Sequence, residues 1–151
     1  MDDLRDLYQA TILDHNKKPR NFGRLADANR KADGHNPLCG DKITVYLKLG
    51  EDDVVEDVAF DGAGCAISTA SASLMTESIK GQKRADIEKT FDHFHGLVTS
   101  SPSEAPDTDG LGKLAVFSGV REFPMRVKCA TLCWHTLQAA IANSDEVAKT
   151  E

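Results

Sequence analysis

Apolar and polar side chains alternate through residues 42–49, break at Gly50-Glu51-Asp52-Asp53, and alternate again through 54–61. Ile43, Val45, Leu47 and Leu49 share one face of the first run. In the second, Val54, Glu56, Val58 and Phe60 lie opposite Val55, Asp57, Ala59 and Asp61. A period of two on both sides of a short turn specifies an antiparallel hairpin with one half-buried face.

The rest of the chain reads mostly as helix. Asp2 or Asp3 is placed to cap a first helix, in which Leu4, Leu7, Tyr8 and Ile12 recur at helical spacing to about His15; Pro19 stops it. Residues 21–38, rich in Asn, Asp and Gly, are irregular, with room for one short edge strand. Residues 66–80 form a helix whose small side chains suit close packing. Helices follow over 86–98, briefly over 111–120, and over 125–142, with a Ser/Pro/Asp surface loop at 99–110 and a break at Pro124. Helix, hairpin, then helices define an α+β fold: a small antiparallel sheet, two clear strands with room for a third, packed against several helices.

A chain of 151 residues, 40% of them apolar, is expected to form one domain over 1–151 with its own core. Its net charge of −6 argues against nonspecific nucleic-acid binding. No apolar run is long enough to span a membrane. The acidic opening Met1-Asp2-Asp3-Leu4 lacks the pattern of a secretory signal, so a cytoplasmic location is expected. There, a structural disulfide among the four cysteines is disfavoured.

The hairpin gathers chemistry at one end. Cys39 and Asp41 precede its first strand, and Cys65 follows its second in Gly62-Ala63-Gly64. Since the first strand starts beside the end of the second, these three residues share one end of the sheet. The last helix must deliver Cys129. Three thiolates and a carboxylate suit tetrahedral Zn²⁺, while the carboxylate also suits iron. A filled set leaves no position for water, which disfavours hydrolysis, and Cys39, on a surface turn, is best placed to leave. Free cysteines are also common core residues, and spacing alone does not decide between the two readings. Cys133, one helical turn beyond Cys129 among apolar neighbours, is expected in the core or near the site. Among the histidines, His15 and His35 lie in or near polar loops, His93 and His95 do not share a helical face, and His135 points away from Cys129; His35 is the nearest competitor of Asp41.

Three segments carry a resemblance: Pro37-Leu38-Cys39-Gly40-Asp41, Gly62-Ala63-Gly64-Cys65-Ala66-Ile67-Ser68, and Arg126-Val127-Lys128-Cys129-Ala130-Thr131-Leu132. With Leu7-Tyr8 and Ile12-Leu13-Asp14-His15 through Pro19-Arg20-Asn21, they resemble the iron–sulfur scaffold superfamily of IscU and the NifU N-terminal domain, most of all its SufU branch. Lys128 stands where IscU-type chains carry histidine, and 63 residues separate Cys65 from Cys129, a longer interval than in those chains.

The resemblance implies a SufE/NifU-like fold, Zn²⁺ on Cys39, Asp41, Cys65 and Cys129, and sulfurtransferase activity. Cys39 would accept persulfide sulfur from a SufS-type PLP-dependent cysteine desulfurase and pass it to downstream Suf cluster-assembly scaffold proteins, with Arg126 and Lys128 adjacent to the site. Two further readings stand beside it: a scaffold holding a transient [2Fe–2S] cluster or iron at the same residues, and a purely structural zinc module.

Overall fold

The computed structural model describes residues 3–143 and 148–149, with side chains from 6 to 143. A first helix, α1 (Asp3–Lys17), leads to strands β1 (Arg30–Asn36), β2 (Asp41–Leu49) and β3 (Val55–Ala63), with a short 3₁₀ turn at Glu51–Asp53. Helices α2 (Ala66–Ile79) and α3 (Arg84–Thr99), a 3₁₀ segment (Gly112–Val120) and α4 (Pro124–Ile141) follow; β4 (Ala148–Lys149) closes the order. The sheet runs β3-β2-β1-β4, antiparallel except for the two-residue parallel pairing of β4 with β1. This is the expected α+β architecture. The cap expected at Asp2 lies outside the described residues, and Asp3 is already helical.

Three local expectations are corrected. The edge strand foreseen in 21–38 is seven residues long and lies inside the sheet. Its inward positions are Ala32, Gly34 and Asn36, all buried, so it carries almost no apolar signal. Small residues are needed because α4 lies directly on β1: a Cβ on Gly34 would collide with Thr136 Oγ1.

The second strand is bulged. Lys48 pairs with Asp57 but Leu49 with Val55, leaving Glu56 extra. The bulge shifts the inward phase, so Val55 is buried together with Val58 and Phe60, and strict alternation assigns Val55 to the wrong face. In the 3₁₀ segment and the residue before it, Leu111, Leu114, Phe117 and Val120 are all buried. Spacing of three, rather than three and four, matches three residues per turn.

The core joins the sheet to α2, α3, α4 and the 3₁₀ segment, with Trp134 stacked on Phe91 and Phe94. The serines of α2 allow close approach and also bond outward. Ser71 Oγ donates to the Ala130 carbonyl at 2.6 Å, and Ser73 Oγ accepts the Arg20 N–H at 2.8 Å.

His15, expected in or near a polar loop, is buried on α1 against that same Ser73, 2.7 Å from its Nδ1. Burial, aided by the Arg20 charge, lowers its pKa, with Glu77 and Asp14 opposing. The sign follows: the unfolded state takes up a proton near pH 6.5, where folded His15 stays neutral. The stabilisation is complete above that pH and is lost as pH falls through the lower folded value. Urea titrations from pH 7.5 to 5 should show stability declining with acid, and His15→Gln should flatten that decline. An unchanged slope in the variant counts against this role.

Candidate metal centre

Cys39 sits at the tip of the β1–β2 hairpin, where Asn36 pairs with Asp41. Gly40, at φ +73°, makes the left-handed turn that reverses the chain there. The Asn36 carbonyl accepts the Gly40 N–H at 2.8 Å, and Asn36 Oδ1 accepts the Leu38 N–H at 3.2 Å. Asp41 opens β2 and is buried despite its charge. The β2–β3 register sets Lys42 beside Ala63, which brings the following turn against Asp41: the Cys65 N–H donates to Asp41 Oδ1 at 2.9 Å. Cys65 is the N-cap of α2, its sulfur accepting the Ser68 N–H at 3.4 Å.

Cys129, in the second turn of α4, is buried. Its sulfur lies 3.4 Å from that of Cys39, which is exposed. The sulfurs of Cys39 and Cys129 and a carboxylate oxygen of Asp41 all lie within 4.8 Å of one another, a set that could hold a metal ion. Cys65 falls outside this tight set, with its sulfur 3.9 Å from Asp41 Oδ2. The spacing fits a mononuclear centre. Tetrahedral zinc with Zn–S near 2.3 Å and Zn–O near 2.0 Å places its ligand atoms roughly 3.5–3.8 Å apart. One Asp41 oxygen is held by the Cys65 amide, which leaves the other to turn toward the sulfurs.

The thiols bias one another. A hydrogen bond from the Cys129 thiol, helped by the Ser68 and Ile67 amides at the α2 N-terminus, draws the Cys65 pKa down to about 6, against burial and the Asp41 charge. Cys129 is correspondingly raised, first by its bond to Cys65 and then by burial. A cation bound at these sulfurs would compete with their protons.

Cys133 lies in the core; burial raises its pKa to about 12, and Ser71 Oγ sits 3.5 Å from its sulfur. His35 alternates with the inward-facing Asn36 along β1 and so faces the other side of the sheet. Arg126 is exposed and covers the Phe123 ring, 4.2 Å from its centroid, while Lys128 is half-buried. Among the described residues neither forms an ion pair within 4.0 Å. Among the described residues the Tyr8 hydroxyl is buried without a hydrogen-bond partner; burial raises its pKa and the neighbouring Arg126 charge partly offsets this.

Sequence reasoning missed Asn36. Its side chain is wholly buried, and its Nδ2 lies 3.7 Å from Cys129 Sγ. The one available signal was an asparagine directly before the Pro-Leu-Cys-Gly-Asp turn.

A model of the NifU-like N-terminal domain matches residues 7–130. The zinc-dependent sulfurtransferase SufU of Bacillus subtilis is 43% identical over 94% of this chain and 94% of its own length. The iron–sulfur cluster assembly scaffold protein IscU of Streptococcus pyogenes serotype M1 is 40% identical over 93% of this chain and 86% of its own. A crystal structure described as an iron–sulfur cluster assembly scaffold protein for the SUF system, from Fervidobacterium islandicum, superposes with a TM-score of 0.80 at 33% identity. That match covers 91% of this chain and 98% of the other.

Proposed function

The chain belongs to the family of NifU-like N-terminal domains, and from that membership we propose that it is a sulfurtransferase for iron–sulfur cluster assembly. Its centre is one Zn²⁺ held by Cys39, Asp41, Cys65 and Cys129. The observation that carries this reading is the convergence of Cys39, Asp41 and Cys129 within 4.8 Å, which suits a single ion. Zinc supplies charge that keeps these thiols deprotonated at neutral pH.

Cys39, exposed at the hairpin tip, is the sulfur acceptor. Its thiolate attacks the outer sulfur of a persulfide on a SufS-type PLP-dependent cysteine desulfurase. A new S–S bond forms at Cys39 Sγ, the donor's S–S bond breaks, and the donor cysteine leaves as thiolate. Arg126, three residues before Cys129 on α4, and Lys128 bring positive charge that favours the anion. Asp41 is oriented by the Cys65 amide and stays in place. The sulfur then passes to downstream Suf cluster-assembly scaffold proteins in the cytoplasm.

A second reading, a scaffold on which a transient [2Fe–2S] cluster is built, is favoured by the relatives' names. More of them are called scaffolds than sulfurtransferases, and thiolates hold such clusters as readily as zinc. The discriminating measurement is alanine release from cysteine by a SufS-type desulfurase, with this protein loaded with zinc and free of iron. Strong stimulation is expected. No stimulation, together with a stable and transferable cluster after anaerobic reconstitution, would establish the scaffold instead.

A further inference from the structure

The three site sulfurs are not equivalent in their hydrogen bonding. Cys129 Sγ receives the Asn36 side-chain amide at 3.7 Å, and Cys65 Sγ receives the Ser68 N–H at 3.4 Å. Among the described residues no N–H reaches Cys39 Sγ, whose one hydrogen-bond contact is the Cys129 sulfur, with the Asp41 carboxylate within 4.8 Å. An N–H donated to a thiolate withdraws electron density from the sulfur and makes it the weaker nucleophile.

Asn36 also secures the turn that carries Cys39. Its Oδ1 holds the Leu38 N–H on one side of Cys39, and its backbone carbonyl holds the Gly40 N–H on the other. The residue is wholly buried between the sheet and α4, so its amide is fixed by packing. Burying a polar side chain without partners is costly, and here every group that Asn36 satisfies belongs to the turn or to Cys129.

We propose that Asn36 is a positioning residue that divides labour between the sulfurs. By donating to Cys129 it keeps that thiolate as a retained ligand; by clasping both sides of the Cys39 turn it holds the undamped thiolate at the surface, where a persulfide can reach it. The inference rests on the metal-centre reading above and adds the reason one sulfur, and not its neighbour at 3.4 Å, takes the transferred atom.

The test uses the full chain with Co²⁺ in place of zinc, where sulfur-to-cobalt charge-transfer absorption reports electron density on the thiolates. Asn36→Ala should move that absorption to lower energy and weaken metal affinity about 10–100-fold, the range for lost partners of metal ligands. A second measurement needs no substitution. In the ¹¹³Cd-loaded protein, the Asn36 side-chain amide protons should show scalar coupling to cadmium through the Cys129 sulfur. Should Asn36→Ala fail to fold, that coupling decides the question. An unmodified protein without thiolate charge-transfer bands overturns the metal-centre reading and this inference with it. Bands that are present but unchanged in Asn36→Ala, or an absent coupling, overturn the role of Asn36 alone.

Discussion

Replacing Cys39 by serine should return desulfurase turnover to the rate of the desulfurase alone. The hydroxyl is nearly isosteric with the thiol, yet it forms no persulfide and stays protonated at neutral pH, so neither the attack nor the resting thiolate survives. The fold should not notice. Cys39 is exposed at a hairpin tip and belongs to no part of the core. Stability of the metal-free variant should therefore lie within ~0.5 kcal/mol of the parent, as for other surface changes away from special features. Measuring both quantities separates loss of chemistry from loss of structure. Retained stimulation in a folded Cys39→Ser protein would remove Cys39 from the acceptor role and pass it to Cys65, the other exposed thiol.

The largest effect on stability should come from Trp134→Ala. Trp134 is fully buried and stacked between Phe91 and Phe94, at centroid distances of 5.9 and 5.3 Å. Removing the indole leaves a cavity that the surrounding rings fill only partly, at a cost of about 3–5 kcal/mol. For a chain of this size the melting temperature should fall on the order of 10 °C. Among the described residues the indole N–H has no hydrogen-bond partner, so Trp134→Phe sacrifices volume but no bond and should recover most of the loss. A melting temperature unchanged in Trp134→Ala would show that α3 and α4 are not held together by this stack. Because α4 also carries Cys129, loosening the stack should weaken metal retention as well, which chelator competition on the same variant measures.

The fold was legible wherever local periodicity carries it. The β2–β3 hairpin, the helical stretches and the surface loop all declare themselves through side-chain spacing. Two features are not carried by local periodicity. The inward positions of β1 must be small because α4 lies on them, so Gly34 and Asn36 erase the strand signal. The bulge at Glu56 breaks the period of two, and it is visible only in the pairing of β3 with β2.

The site divides the same way. Hairpin topology alone places Cys39, Asp41 and Cys65 at one end of the sheet, because antiparallel pairing returns the chain to its start. The separation of 90 positions from Cys39 to Cys129 carries no such constraint. That contact, the shelter of Asp41 and the amide of Asn36 on Cys129 depend on how α4 packs across β1 and β2. Periodicity is written residue by residue and survives in the sequence. Distance across a packed interface is a joint property of many side chains, and only the folded chain decides it.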